Sequence, residues 1–551
     1  MQVDPAGGGI LYRPSLPFVI LLASCTSAEP ALAEASSPVA ERCHALEGGG
    51  IEGGEITSAA LVPARPANPE HPELPIAPIP AHCRIALTLR PTSASDIKVE
   101  VWLPAAEWNG RFLGVGVGGF GGVINEGELK TAVQRGYAAA ATDTGHGVVG
   151  TEVWARNQPE KIVDYGHRAI HLMTVAGKAL ATRFYGSAPH HAYFAGCSNG
   201  GRQALMEAAR YPGDYDGIIA GAPAADFTGL VVASFGWNDQ ALRRAPLSTQ
   251  KLSALQRGVL EQCDALDGSR DDLVGAPEAC HFNPAKLRCT GLVDDKCFTD
   301  AEIATLNSIY SGPRTSDGRV INAGFSVGGE APDMPSPGWE GWLVPSKGKP
   351  TEQYNFYSRF MRDFLTADPD WKAESFDLER DVAFAKQKLS AQLDSNDPDL
   401  SAFARRGGKL ILWHGWSDQA IPAGATIRYY DSVVAKMGRE SVDRFARLYM
   451  APGVQHCWLG PGPWAFNWSA ARPGAAPRTD MAAALEAWVE KGMAPKELVA
   501  IRPKNAFSIL AGYPPLEVDR SGLLCPYPLI AKYDGKNSPK DAASYSCAVA
   551  R

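Results

Sequence analysis

The sequence lacks features that several large classes of protein require. No run of its 551 residues approaches the roughly 18 consecutive apolar residues that cross a bilayer, which argues against a transmembrane protein. It has no long basic run, and its formal charge of −7 argues against nucleic acid as a partner. No cysteines have the Cys-x-x-Cys spacing, so a zinc site is the weaker explanation of the cysteines.

The composition is that of a large folded protein. Hydrophobic residues make up 45% of the chain, which is ample for a core. At about 150 residues per domain, the length predicts two to four domains.

Residues 1–33 have the pattern of an export signal. Arg13 precedes a short apolar run at residues 16–23, as in a secretory signal peptide. Two processing sites compete, a small-residue site at Ala31-Leu32-Ala33 and a lipoprotein-like box that ends at Cys25. The sequence therefore predicts an exported protein that is secreted, periplasmic or anchored to the outer membrane by a lipid on Cys25.

Cysteine usage agrees with export. Ten cysteines remain after the signal, and an even number in an exported chain indicates disulfide bonds. The ten are Cys43, Cys83, Cys197, Cys263, Cys280, Cys289, Cys297, Cys457, Cys525 and Cys547.

A nucleophile elbow is predicted around Ser198. A strand-like segment at residues 191–195 leads into Gly196-Cys197-Ser198-Asn199-Gly200, and residues 203–210 have the pattern of a helix. A serine on a sharp strand-to-helix turn has a strained backbone that needs small neighbours, and the glycines supply them. A Gly-rich turn without a function is the competing interpretation.

Six glycines in nine residues form a loop at residues 114–122, after an early strand. No Gly-Lys-Ser/Thr follows and the spacing is not that of a dinucleotide fingerprint, which argues against a phosphate-binding loop. In a serine hydrolase this position supplies a backbone amide to the oxyanion hole. We predict Gly119 as that donor and the amide of Asn199 as the second.

An acidic residue and a histidine follow two later strands. The apolar segment at residues 409–415 precedes Asp418, and the last strand, at residues 444–450, leads to His456. Ser, Asp, His is the chain order of the α/β-hydrolases. We therefore predict that His456 takes the proton from Ser198 and that Asp418 orients His456.

A second acid and histidine, Asp143 and His146, lie at the end of the strand predicted at residues 137–141. Residues in such a place more often fix a loop than act on a substrate. We expect that structural role, with direct catalysis as the alternative.

The alternation of strands and helices stops at about residue 226 and resumes near residue 401. An insertion of this length between sheet strands is typical of a lid over an active site. The predicted fold is therefore α/β, an α/β-hydrolase fold with a large inserted lid domain. The predicted parts are the signal at 1–33, the catalytic domain at 34–225 and 401–551, and the lid at 226–400.

Two groups of lid residues are candidates for function. Trp339, Trp342, Phe356 and Phe360 could line the lid's inner face, although most lid aromatics are expected to form the lid's own core. Asp264, Asp267 and Asp271, with the carbonyls of Ser269 and Leu273, could surround one hard cation. Calcium suits such a flexible, carboxylate-rich loop better than magnesium does. An Asp/Gly-rich surface turn is the competing interpretation.

Cys197 precedes the predicted nucleophile and Cys457 follows the predicted base. If Ser198 and His456 meet, these two cysteines must also be close. A disulfide needs Cα atoms roughly 4.4–6.8 Å apart, so a Cys197–Cys457 bridge is geometrically natural.

These motifs together resemble the tannase and feruloyl esterase family, whose members include the bacterial hydrolase of mono(2-hydroxyethyl) terephthalate. The resemblance covers nearly the whole mature chain. It rests on Gly196-Cys197-Ser198-Asn199-Gly200-Gly201-Arg202, Tyr215-Asp216-Gly217-Ile218-Ile219-Ala220-Gly221-Ala222-Pro223, His414-Gly415-Trp416-Ser417-Asp418, Gly453-Val454-Gln455-His456-Cys457 and Cys525-Pro526-Tyr527-Pro528.

The resemblance implies an α/β-hydrolase core, a lid, the bridge between the triad's flanking cysteines, and a structural calcium ion in the lid. The implied calcium ligands are Asp264, Asp267, Ser269, Asp271 and Leu273. The other implied bridges are Cys43–Cys83, Cys263–Cys280, Cys289–Cys297 and Cys525–Cys547.

An aromatic-lined lid suits the ester of a phenolic or benzoic acid, such as gallate, ferulate or coumarate. A terephthalate monoester is the alternative, with Arg359 or Arg362 as candidate partners of its carboxylate. Asn199 stands where the terephthalate hydrolase carries glutamate, which favours the plant phenolic ester. A hypothesis of another class is a catalytically inactive, calcium-dependent phenolic-binding protein, against which the presence of all three triad residue types argues.

Overall fold

The computed structural model describes residues 37–66, 78–147, 152–333, 335–506 and 517–549. The predicted signal at residues 1–33, with Cys25, lies outside the described residues. Within these ranges no helix is both long enough and apolar enough to cross a bilayer.

A ten-stranded mixed sheet lies at the centre of the molecule, in the order β1-β2-β3-β4-β6-β5-β7-β8-β9-β10. Six strands, β5 to β10 in chain order, run parallel to one another. Strands β1 to β4 are antiparallel and extend the sheet beyond β6, to which β4 pairs. The strands are β1 (Gly50–Ile51), β2 (Gly54–Val62), β3 (His82–Leu89), β4 (Ile97–Pro104), β5 (Arg111–Val115), β6 (Ala138–Thr142), β7 (His191–Cys197), β8 (Gly217–Gly221), β9 (Lys409–Gly415) and β10 (Ala446–Ala451).

Two small antiparallel sheets complete the C-terminal region, and the sequence did not predict them. They pair β11 (Leu498–Pro503) with β12 (Val518–Leu524) and β13 (Leu529–Tyr533) with β14 (Tyr545–Val549). At the other end, residues expected to form a wrapping segment contribute β1 to β3 to the main sheet.

Helices cover both faces of the sheet, as the α/β prediction requires. The described helices are α1 (Pro38–His44), α2 (Glu126–Gln134), α3 (Pro159–Val163), α4 (Ala169–Tyr185), α5 (Asn199–Arg210), α6 (Gly236–Arg244), α7 (Thr249–Cys263), α8 (Asp300–Ser311), α9 (Glu352–Arg359), α10 (Leu378–Leu393), α11 (Ser401–Arg405), α12 (Ala423–Met437), α13 (Arg439–Asp443) and α14 (Met481–Lys491). One face is covered by α4, α5 and α12, and the other by α2 and α14.

Small residues let the helices pack closely on the parallel strands. Strand β6 is four alanines and a threonine, all buried. In α4, a Cβ atom at Gly177 would lie 2.7 Å from the ring of Phe112. A larger residue there would push α4 off the sheet, because contacts this short are repulsive.

The lid region is inserted between two strands that are neighbours in space. β8 and β9 pair in parallel, although almost two hundred residues separate them in the chain. The sequence appeared irregular here, but the structure contains α6 to α10 in this segment. Its own core includes Leu255, Leu306 and the buried Trp339. The boundaries at 226 and 400 stay predictions.

Candidate active site

The predicted nucleophile lies at a strained turn between β7 and α5. Ser198 has φ 65° and ψ −124°, a conformation that an L-residue adopts only when its surroundings impose it. A Cβ atom at Gly196 would lie 2.4 Å from the carbonyl oxygen of Gly200, so only glycine fits before the turn. The Ser198 amide donates to the carbonyl of Gly221 at 3.0 Å. The elbow predicted from the sequence is therefore present.

The predicted acid and base are hydrogen-bonded to each other. Nδ1 of His456 lies 2.8 Å from Oδ2 of Asp418, and the backbone amide of His456 donates to Oε1 of Gln419. With a proton on Nδ1, the Nε2 atom of His456 is left as the acceptor. This is the tautomer that a general base needs.

Asp418 is buried and has four hydrogen-bond donors around it. Its Oδ2 atom also lies 3.0 Å from Nε2 of His414, and its Oδ1 atom accepts from the amides of Ala420 and Ile421. Burial raises the pKa of Asp418, but the charge of His456 and the hydrogen bonds from His414 and His456 outweigh burial. The pKa of Asp418 therefore lies well below its ordinary value, and the group is a carboxylate at neutral pH.

A disulfide joins the nucleophile's turn to the histidine's loop. Cys197 and Cys457 are bonded, with Cα atoms 5.9 Å apart across a sequence separation of 260. Ser198 and His456 line the same pocket as a result. The four other predicted bridges, Cys43–Cys83, Cys263–Cys280, Cys289–Cys297 and Cys525–Cys547, are present as well.

Both predicted oxyanion donors border this pocket. Gly119 has φ 60°, in the left-handed region that favours glycine. Asn199 is the first residue of α5, so its amide has no acceptor within the helix and is available to an oxygen in the pocket. The site can thus present two amides and a positive helix end to a developing negative charge.

The glycine-rich loop is held in place from the elbow helix. The Asn199 side chain donates to the carbonyl of Val117 at 2.9 Å, and the Gln203 side chain accepts from the Val117 amide at 3.0 Å. Arg202, which is fully buried, donates through Nε to Oδ1 of Asn199 at 2.7 Å. Tyr165 donates to the carbonyl of Gly119. These contacts fix the loop relative to the nucleophile.

Asp143 and His146 make structural contacts, which agrees with the role expected for them. The backbone carbonyl of Asp143 accepts from the amide of Gly122 in the glycine-rich loop at 2.8 Å. Oδ1 of Asp143 accepts from the amides of Lys98 and Gly145. Nε2 of His146 lies 2.8 Å from the carbonyl of Phe120, and its ring stacks on Trp154 at 3.8 Å.

The pocket is apolar apart from the polar residues of the candidate site. No lysine, arginine, aspartate or glutamate lines it among the described residues, and neither Arg359 nor Arg362 does. Its remaining walls are Ala224, Phe227, Leu230, Val231, Phe235, Trp342, Phe356, Ala420 and Ile421.

The lid forms the roof of this pocket. The Trp342 ring packs edge-on against the His456 ring at 5.7 Å, and Phe356 lies against Gly119. Of the four lid aromatics considered, Trp342 and Phe356 line the pocket, whereas Trp339 and Phe360 are buried in apolar cores.

The pocket is small in this structure. Its volume is about 30 Å³, which is roughly that of one water molecule. A larger cavity, of about 860 Å³, is lined by none of the predicted catalytic residues and lies beside Arg111, Arg135 and Tyr137.

The acidic loop of the lid concentrates negative charge. A cavity of about 50 Å³ is lined by Asp267, Asp271 and Leu273, with Arg520 beside it. The Oδ1 atom of Asp271 is buried with no hydrogen-bond partner among the described residues. Burial, with the charges of Asp271 and Asp264, raises the pKa of Asp267 to about 7.

This donor set fits a hard cation, because it consists of oxygens only and Arg520 compensates no more than part of its charge. The three carboxylates do not all lie within 4.8 Å of one another in the described structure. An ion would therefore draw the loop together.

The fold and the site define an α/β-hydrolase. The family model for tannase and feruloyl esterase matches residues 83–548, so the chain belongs to the tannase and feruloyl esterase family and is a carboxylic ester hydrolase. Both conclusions confirm what the sequence motifs predicted.

Individual relatives agree with this assignment. An uncharacterised esterase of Xanthomonas campestris pv. campestris is 38% identical over 500 residues, which cover 85% of this chain and 84% of that protein. Mono(2-hydroxyethyl) terephthalate hydrolase of Piscinibacter sakaiensis is 31% identical over 541 residues, 86% of this chain and 85% of that protein. Among solved structures, feruloyl esterase B from Aspergillus oryzae matches with a TM-score of 0.81 at 27% identity, covering 93% of this chain and 100% of that one.

Two elements of the site were missed from the sequence. The contact of His414 with Asp418 was missed, although the two residues stand four apart in the segment His414-Gly415-Trp416-Ser417-Asp418. The side-chain contacts of Arg202 and Gln203 were also missed, because a buried arginine next to a turn looks like an exposed helix residue until the packing is known.

Removing the bridge by Cys197→Ala/Cys457→Ala is expected to lower kcat/KM by about 10- to 100-fold, because small displacements of reacting groups are costly. The measurement is ester turnover by variants shown to be folded by thermal melting. The matched control is Cys289→Ala/Cys297→Ala, which removes a lid bridge and is expected to change kcat/KM less than about twofold. Full activity of the first variant would contradict the role of the bridge.

Proposed function

We propose that the chain hydrolyses esters of aromatic acids through Ser198, His456 and Asp418. The observation that carries this proposal is the hydrogen-bonded Asp418–His456 pair, tied by the Cys197–Cys457 bridge to a serine on a strained elbow. Each group has the environment that its role demands: a carboxylate held in its ionised form, a histidine with Nε2 as acceptor, and a serine beside it in one pocket.

The reaction proceeds in two acyl transfers. Nε2 of His456 takes the proton from Oγ of Ser198 while Oγ attacks the ester carbonyl. The amides of Gly119 and Asn199 hold the resulting oxyanion, each contributing on the order of 3 kcal/mol in comparable hydrolases. The tetrahedral intermediate expels the alcohol, which receives the proton from His456. Water, deprotonated by His456, then attacks the acyl-enzyme and releases the acid and Ser198.

The apolar walls favour an uncharged aromatic acyl group. Phe227, Phe235, Trp342 and Phe356 offer ring surfaces, and the described lining has no cation to receive a carboxylate. A phenolic acid ester such as a ferulate, coumarate or gallate therefore fits best. Hydrolysis of a terephthalate monoester is the second candidate, favoured by the 31% identity to the Piscinibacter enzyme.

An aromatic substrate can enter the pocket only if the lid changes conformation. A cavity of about 30 Å³ does not admit an aromatic ring, so Trp342 and Phe356 must rotate or the lid must open.

Ser198→Ala is expected to abolish turnover of methyl ferulate, with a loss of at least about 10⁴-fold in kcat, because the nucleophile is gone while the fold is unchanged.

For the unaltered enzyme we expect kcat/KM on methyl ferulate and methyl gallate to exceed that on the terephthalate monoester, because that substrate brings a charge into an apolar pocket. Both are steady-state measurements. Turnover retained by Ser198→Ala would contradict the mechanism, and a preference for the terephthalate monoester would select the second candidate.

We further propose that the lid loop binds a structural calcium ion through Asp264, Asp267, Asp271 and the carbonyls of Ser269 and Leu273. The unpartnered oxygen of Asp271 and the uncompensated negative charge support the proposal. A bound dication would replace repulsion among the carboxylates by attraction.

Chelation with EGTA is expected to lower Tm, and added Ca²⁺ to restore it, because the ion binds only the folded loop. In Asp267→Asn the Tm should no longer respond to Ca²⁺. Asp317→Asn, which alters an exposed lid carboxylate elsewhere, should respond as the unaltered chain does. An unaltered chain whose Tm ignores EGTA and Ca²⁺ would refute the site.

We also propose that the protein works outside the cytoplasm, either free or held by a lipid at Cys25. Five disulfides support an oxidising compartment, where such bonds form and persist.

A further inference from the structure

A second cluster of ligand-type side chains lies behind the nucleophile elbow, away from the pocket. His171 projects from α4, Glu207 from α5, and Asp214 from the turn before β8. Ligand atoms of these three residues all lie within 4.8 Å of one another, and no other three such side chains in the described part of the chain do. Neither the proposed reaction nor the lid loop uses them.

Glu207 is the unusual member of this cluster. It is 1% exposed, and within the described ranges neither of its carboxylate oxygens accepts a hydrogen bond from a donor group. Buried carboxylates are normally paired or hydrogen-bonded, since desolvation of the charge is costly. Lys178, whose charge acts on Glu207, donates to the backbone carbonyl of Asp214. Burial, then the charge of Asp214 and a hydrogen bond from the protonated Glu207 carboxyl to the Asp214 carboxylate, raise the pKa of Glu207 well above its ordinary value.

His171 connects the cluster to solvent. Nδ1 of its imidazole lies 2.6 Å from Oδ2 of Asp214, and its ring stacks on Tyr211 with the centroids 4.0 Å apart. The His171 side chain is 30% exposed and that of Asp214 is 15% exposed. An ion could therefore enter from the surface and meet the buried carboxylate of Glu207.

We propose that His171, Glu207 and Asp214 bind a transition-metal dication of the zinc type. One imidazole nitrogen and two carboxylate oxygens are a donor set that zinc and cobalt accept, whereas calcium prefers oxygen ligands alone. The dication would displace both the proton between His171 and Asp214 and the proton on Glu207, and the two protons would pass to solvent.

The site is structural. It joins α4, α5 and the turn before β8, and so stabilises the helix that begins next to Ser198. Glu207 lies eight residues beyond Asn199, about 12 Å along the helix, so the ion would not touch the ester. Metal removal should lower stability and leave kcat unchanged.

The test is titration of the chelator-treated full chain with Zn²⁺, in the presence of excess Ca²⁺ so that the lid loop does not contribute. Calorimetry should show one saturable site, and Tm should rise by about 2 °C at a hundredfold excess over Kd. Substitution with Co²⁺ should give visible d–d bands without thiolate charge transfer, because the ten cysteines of the described residues are paired.

His171→Ala and Glu207→Gln should abolish both the binding and the Tm shift. Glutamine has the shape of protonated Glu207, so we expect Glu207→Gln to fold normally. It therefore tests the site even if His171→Ala fails to fold. The matched control is His191→Ala, because His191 lies 3.8 Å from Asp216 without a third ligand, and this variant should bind Zn²⁺ as the unaltered chain does. No saturable binding at millimolar Zn²⁺, or unchanged binding by Glu207→Gln, would overturn the proposal.

Discussion

The disulfide between Cys197 and Cys457 is the constraint on which the proposed active centre depends. It joins a strained turn after β7 to a loop after β10, two segments 260 residues apart in the chain. Without the bond, only packing around the end of the sheet would hold the serine near the histidine. A disulfide at the residues next to Ser198 and His456 limits the relative motion of these two side chains more directly than a contact farther away. Few rotatable bonds lie between the disulfide and either side chain, so their separation can vary little.

Hydrogen bonds and charges around Asp418 and the glycine-rich loop fix the remaining groups of the proposed site. Asp418 is buried, yet hydrogen bonds from two histidines and two amides keep it ionised and orient His456. Across the pocket, buried Arg202 and Asn199 hold the loop that carries Gly119, so that the proposed oxyanion donors would be in place before substrate arrives. Preorganisation of this kind is where much of the rate acceleration of hydrolases originates. The cluster at Glu207, on the far part of the same helix, would add stability to the element that carries the serine.

Much of the site was predictable because its signals are local in sequence. The elbow needs glycines on both sides of Ser198, Asp418 and His456 directly follow strands, and the positions of Cys197 and Cys457 pointed to their pairing. What depends on packing at a distance was not predictable. The lid appeared irregular, yet it contains α6 to α10. Of these, α7 and α8 pack in a separate core, whereas α9 and α10 pack in a core shared with residues outside the lid. The choice of Trp342 and Phe356 as roof residues, and of Trp339 and Phe360 as core residues, depends on how that lid folds over the sheet.

Covalent labelling by a fluorophosphonate, with the adduct located by mass spectrometry of unreduced peptides, tests the proposed arrangement of Ser198, His456 and the disulfide most directly. We expect one adduct, on Oγ of Ser198, in a peptide joined to the His456 peptide through Cys197 and Cys457. Failure to react, an adduct on another serine, or those two cysteines found free or joined elsewhere would contradict that arrangement.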